Sequence, residues 1–190
     1  MAENPYAPPN AELTVGAADR QLFYVVGLRK FLVLFVATMG IYQIFWFYEN
    51  WRAYREASGE KLWPVARALF SIFFVHRLFR LVQDRLDNAR RAVGWDLRSY
   101  ATWLVVLLIV SNAMDRAAMR SNSSQVVDFL SLVILLPLGF VLYRAQVSIN
   151  ASCDDPQGTT NSEFTLTNYL VIALGVLWWG LVVAGFLLAG

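Results

Sequence analysis

The sequence predicts an all-α polytopic membrane protein with about four transmembrane helices, a fifth being possible, and an interfacial amphipathic helix. Three observations carry this. Of the 190 residues, 57% are hydrophobic and 16% charged, whereas soluble domains run nearer half apolar and a quarter charged. The charges are clustered, which leaves uncharged runs close to the roughly 20 residues that cross a bilayer. A large soluble core would explain the apolar content but not runs of that length.

The chain opens with "MAENPYAPPNAELTVGAADR", which has Pro5, Pro8 and Pro9 and no basic residue before Arg20. It has neither the basic start nor the apolar core of a secretory signal. Residues 1–20 are therefore expected to form a disordered, Pro-containing tail. A single helical membrane domain over 21–190 follows, and its first apolar segment would direct insertion.

Four spans are expected, near 31–48, 99–114, 126–143 and 167–189. The first, "FLVLFVATMGIYQIFWFY", is uncharged throughout; the third contains Pro137, which a spanning helix tolerates with a modest kink. A fifth membrane segment, or an interfacial helix, is expected over 63–92. Its charge-free centre, Ala68 to Val75, is short, and Arg67, His76, Arg77 and Arg80 flank it. An Arg at the bilayer centre costs about 2.5–3.5 kcal/mol on insertion scales. At about 100° per residue, His76, Arg77, Arg80, Gln83, Asp84, Asp87, Asn88 and Arg91 share one face. Leu78, Phe79, Leu81, Val82, Leu86, Ala89 and Ala92 share the other, with Arg85 and Arg90 as exceptions. That division suits a helix on a membrane surface or packed against neighbouring spans, and the interfacial placement is preferred.

Orientation follows from the excess of Lys and Arg on cytoplasmic flanks. Residues 83–99 carry Arg85, Arg90, Arg91 and Arg98, against Arg116 and Arg120 in 115–125. This places 83–99 and 144–167 in the cytoplasm and the C-terminus in the periplasm. The front half divides between three arrangements: four spans with an exported tail, five spans with a cytoplasmic tail, or a re-entrant 31–48 bent near Gly40. Four spans are preferred.

From Tyr42 to Tyr54 the chain carries Tyr42, Phe45, Trp46, Phe47, Tyr48, Trp51 and Tyr54, just where the apolar run gives way to Glu49 and Arg52. Trp and Tyr favour the membrane–water boundary, so an aromatic belt is expected, with a ligand-stacking platform as the alternative.

The stretch containing Gly40, Tyr42, Trp46, Phe47, Tyr48, Asn50 and Trp51 resembles the first span of a group of small, uncharacterised bacterial inner-membrane proteins. So do "NPYAPP" and the later region with Asn150, Pro156, Asn161, Asn168, Gly175, Trp178 and Gly185. The resemblance covers about half the chain. It implies a bacterial inner membrane and no activity.

Chemistry-bearing patterns are sparse. The net charge of +2 is too small to imply nucleic-acid binding, and lone Cys153 and His76 leave no cysteine cluster or histidine zinc site. His76 has no sequence neighbour to form a proton relay. The acidic surroundings of Cys153 disfavour a reactive thiolate. Asp154, Asp155, Asn161 and Glu163 could offer oxygens to a hard cation, but not at EF-hand spacing; the bland reading is a polar loop in which Thr165, Thr167 or Asn168 caps the last helix. Asp128 at the edge of the third span is read as hydrated. Gly180 and Ala184, with Gly185 and Ala189, have the small-residue spacing that lets helices approach.

No catalytic, cofactor or metal site is expected. The expected function is that of a non-enzymatic accessory or scaffold protein acting through protein or lipid contacts, alone or as a homo-oligomer. Arg67, His76, Arg77, Arg80, Arg91, Trp46 and Trp51 are the candidate contacts, with anionic headgroups as one partner. The alternative is oligomeric transport or permeation of a small solute or ion.

Overall fold

The computed structural model describes residues 21–120 and 125–188, together with the backbone of the helices in those ranges. The tail 1–20, expected to be disordered, lies outside the described residues. So does the side chain of Asp128.

Every regular element among the described residues is helical, and none is a strand. Its helices are α1 (Leu28–Ala37), α2 (Tyr42–Ser58), α3 (Pro64–Leu69), α4 (Ser71–Asn88), α5 (Leu97–Arg120), α6 (Gln125–Val133), α7 (Leu135–Ser152) and α8 (Leu166–Leu188), with a 3₁₀ turn at Thr159–Asn161. Three segments are long and apolar enough to cross a membrane: Leu97–Ala117, Phe129–Ser152 and Leu166–Gly185. The second of these runs through α6 and α7, which part at Ile134. Pro137 explains the break, because it has no N–H for the carbonyl four residues earlier, on Val133.

The expected first span is corrected. Residues 31–48 form two helices rather than one, and the chain reverses between them at Thr38–Ile41. Met39 and Gly40 both take left-handed backbone angles, with φ of 49° and 86°. The ring contacts show the reversal: Phe31 meets Tyr42 and Trp46 edge-on, at 5.8 and 6.2 Å, and Phe23 stacks on Tyr54 at 6.0 Å. The bend near Gly40 is therefore the arrangement present.

The turn also satisfies its own polar backbone. Thr38 N–H donates to Leu34 O, Met39 N–H to Val36 O and Gly40 N–H to Phe35 O. Thr38 Oγ1 donates to Leu34 O and accepts from Tyr42 N–H at 2.9 Å. A turn surrounded by hydrocarbon needs this self-sufficiency.

A second reversal follows at Phe70. α3 returns along α2, and α4 then runs back beside it, so that Arg67 and Phe74 both reach Trp51. α4 buries Val75, Leu78, Phe79, Val82 and Leu86, and packs on α5 and α7. This reproduces the apolar face expected for 63–92 but corrects its surroundings, since α5 and α7 cover it rather than lipid. The helix also stops at Asn88; Arg90 is left-handed at φ 54°, so Arg91 and Ala92 lie beyond the helical pattern.

The core runs from Phe23 and Val26 through Phe31, Trp46, Trp51 and Phe79 to Leu104, Leu142 and Ile149. α8 stands apart, with only 6% of its apolar stretch buried, and among the described helices its main packing partner is α1.

Candidate functional site

The sequence-predicted contact residues fall into two groups. Trp46 and Trp51 are both 0% exposed. Tyr42, Phe47 and Tyr54 are buried with them, so these aromatics form a protein core and not a membrane belt. The correction has a simple cause: once the chain reverses at Gly40, one face of α2 is enclosed by 21–27 and α1, and its aromatics pack there. Among the aromatics of this stretch, Phe45 is exposed and Tyr48 half-buried.

Arg67, His76, Arg77 and Arg80 remain at or near the surface. The Arg67 guanidinium lies 4.4 Å from the Trp51 ring and 5.2 Å from that of Phe74. Its Nη1 is buried without a hydrogen-bond partner. Burial, and then the neighbouring Arg77, push the Arg67 pKa down. Arg77 instead pairs with Glu60 at 2.8 Å, and Glu60 accepts from the Tyr54 hydroxyl at 2.8 Å. His76 Nε2 is 3.3 Å from Thr102 Oγ1, and Arg80 is exposed. The structure thus brings Arg67 and Arg77 to one place, beside Trp51 and Phe74, and leaves His76 and Arg80 outside it. Around them Trp63, Val65, Leu69, Phe70 and Phe73 are all exposed, making an apolar apron on α3 and the Phe70 reversal.

Arg91 has a structural task. It donates to the carbonyls of Ala151 and Ser152, at 3.0 and 3.4 Å, and pairs with Asp154. Arg85 Nε donates to Ser152 O at 2.7 Å. Two cations thus meet the last carbonyls of α7, where the helix dipole favours positive charge. Arg85, Arg91, Asp84, Asp154, Tyr54 and Leu22 line an open cleft of about 530 Å³.

A buried polar lock went unrecognised at the level of sequence. Segment 21–27, in neither helix nor strand, is held between α2 and α7 by carboxamides. Asn50 Oδ1 accepts from Tyr24 N–H at 3.2 Å, and Gln146 Nε2 donates to Tyr24 O at 3.2 Å. Asn150 Oδ1 accepts from Val26 N–H at 3.3 Å, while its Nδ2 donates to Val26 O at 2.9 Å. Gln146 also donates to Asn150 Oδ1 at 2.6 Å and accepts from Trp46 Nε1 at 2.5 Å. Asn50, Gln146 and Asn150 are all fully buried. Carboxamides suit this task because each carries both a donor and an acceptor, as a backbone pair does.

The loop after α7 closes over the same segment. Asn161 donates to Val25 O at 3.1 Å and its Oδ1 accepts from Lys30 Nζ at 2.6 Å; Lys30 also reaches Glu163 O. Burial lowers the Lys30 pKa. Asp155, offered above as a cation ligand, accepts from the amides and hydroxyls of both Thr159 and Thr160, at 2.5 to 2.9 Å. Burial pushes its carboxyl up, but these donors outweigh that and hold it below the usual carboxylate range. Asn168 and Thr165 cap the start of α8 reciprocally, at 3.0 and 3.4 Å. Among the described residues no cluster of His, Cys, Asp and Glu could hold a metal ion.

A sequence signal for the lock existed. Gln146 and Asn150 are carboxamides four apart in a helix that begins with an apolar run, and Asn50 and Asn161 belong to the motifs that carry the resemblance. No family model, curated protein or solved structure matches the chain.

Proposed function

We propose that this chain is a non-enzymatic inner-membrane protein that works as an accessory or scaffold, through protein and lipid contacts made at the end carrying its two helical reversals. Its location in a bacterial inner membrane rests on the motif resemblance. The observation that carries the reading is the α3 apron: exposed Trp63, Val65, Leu69, Phe70 and Phe73 around Arg67, whose Nη1 has no partner. A buried, unpartnered guanidinium nitrogen calls for an acceptor. An anionic lipid phosphate drawn toward Arg67 from the cytoplasmic surface supplies one in the planar geometry that Arg favours, while the apolar side chains enter the acyl region.

Charge asymmetry supports the orientation. Of the 16 Lys and Arg residues, Arg116 and Arg120 occupy the far end of α5. From Arg29 onward the others lie between α1 and the start of α5, or in the half of α7 nearer that start. The positive-inside rule then puts 21–27, 83–99 and 152–165 in the cytoplasm. α5, α6–α7 and α8 cross the bilayer, while α1–α2 and α3–α4 are half-depth hairpins in the cytoplasmic leaflet. α1 has 10 residues, about 15 Å at 1.5 Å per residue, or half of a core about 30 Å thick.

The test is native purification. The tagged chain, extracted into lipid discs with its own lipids, is expected to carry a stoichiometric protein partner, or anionic lipid whose retention falls in Arg67→Gln. A chain that carries neither would overturn the reading.

A further inference from the structure

The two reversals meet. Met39, Gly40 and Ile41 from one, and Leu69, Phe70 and Ser71 from the other, form the inner end of a cavity of about 420 Å³, walled by α5 and α7. Its polar lining is Gln43, Ser71, Ser111, Asn112 and Asp115. Gln43 Oε1 accepts no hydrogen bond but is itself buried away from the open volume. Asn112 spends its Nδ2 on Leu108 O at 2.8 Å, which leaves its oxygen as the group for a guest. The remaining lining is aliphatic and aromatic, including Phe70, Phe73, Leu108, Leu135 and Leu138.

Depth follows from helix geometry. Counting from Leu97, Leu108 lies about 16 Å along α5 and Asp115 about 27 Å, at 1.5 Å per residue. The cavity therefore begins near mid-bilayer, at the hairpin tips, and extends toward the far end of α5, with Asp115 at its mouth. Asp115 is the one ionisable residue among its described lining residues. A carboxylate inside a spanning segment points to a pathway or a binding site.

We infer that this cavity binds a small organic cation, a primary alkylammonium, entering from the far side. Asp115 supplies the opposite charge at the mouth. Asn112 Oδ1, one helical turn before Asp115, accepts an ammonium N–H beside that carboxylate, and the aliphatic and aromatic wall takes the alkyl part. The volume is in the range of small-molecule sites, about 300–1,000 Å³, and the mixture of an apolar wall with a few convergent polar groups is their usual chemistry. A bare metal ion fits poorly, since it needs a close cage of several oxygens. The inference does not depend on the contact surface proposed above: the cavity shares neither Arg67 nor Trp63 with it.

The experiment is saturation-transfer NMR on the full chain in lipid discs, using n-butylammonium, with n-butanol as its uncharged counterpart and empty discs as baseline. Saturable butylammonium binding, with n-butanol at least tenfold weaker, is expected. Asp115→Asn should weaken butylammonium at least tenfold and Asn112→Leu several-fold, with Arg80→Gln unchanged. Asn112→Leu is the second variant should Asp115→Asn fail to fold. Equal binding of the two probes, or butylammonium binding unmoved by a folded variant, would overturn the inference, as would displacement by equimolar Na⁺.

Discussion

At Val26 one side chain, Asn150, satisfies both the N–H and the C=O of a buried residue. Asn150→Ala leaves those two groups without partners and removes one of the two acceptors of the Gln146 amide. An unsatisfied buried group costs about 1–3 kcal/mol, so a loss of that size is expected in thermal unfolding of the detergent-solubilised protein. An unchanged midpoint would show that water replaces the lock. Asp155 gives a second test at this scale. Its folded pKa lies below the unfolded value of about 3.9, because Thr159 and Thr160 donate four hydrogen bonds to it. The stabilisation is therefore complete above the unfolded pKa and is lost as pH falls through the folded one. Amide exchange at Thr159 and Thr160 should stay protected from neutral pH to about pH 4 and rise only below that. In Asp155→Asn the protection should already be weaker at neutral pH. Protection that fades between pH 6 and 5 would contradict the depressed pKa.

The helices depend on a few close approaches. Gly40 has φ of 86°, and a Cβ there would also sit 3.2 Å from Leu135 Cδ2. A left-handed residue with a side chain costs about 1–2 kcal/mol, so Gly40→Ala should destabilise by about that amount, as read by thermal unfolding. At Gly175 the obstacle is α1 itself, since a Cβ would lie 2.2 Å from Ala37 O. Gly175→Ala should push α8 off α1 and weaken the Trp179 Nε1 to Val36 O bond, now 2.9 Å; a disulfide-trapping pair across α1 and α8 that still closes at the original rate would contradict this. Much at this scale was legible in the sequence. The uncharged runs found α5, α7 and α8, and the periodicity of 75–86 found the buried face of α4. What stayed hidden has one physical origin: an uncharged run of 18 residues looks the same whether it makes one spanning helix or a hairpin. Periodicity likewise marks Trp46 and Trp51 as apolar without saying whether protein or lipid covers them. The hairpin decides both, and it is set by tertiary contacts from Leu135, Gly139 and Gln146 that lie far away in the chain.

On the scale of the molecule, the two reversals leave three segments long and apolar enough to cross a membrane where four were expected, and the proposed topology sets the two hairpins beside them on the cytoplasmic side. Gln21, which reaches Thr160, then lies at the same end as Asn88 and Asp154, opposite the junction between α5 and α6. The polar lock holds the arrangement together at that end: segment 21–27 has no helix of its own, and Asn50, Gln146 and Asn150 pair its buried backbone instead. Single cysteines introduced for Gln21, Asn88 and Asn122 in a Cys153→Ser background test the arrangement most directly, with a membrane-impermeant maleimide applied to sealed vesicles of each orientation. Positions 21 and 88 should label from the cytoplasmic side and position 122 from the opposite side. Labelling of position 21 together with position 122 would mean that residues 31–48 cross the bilayer, and the hairpin architecture would be wrong.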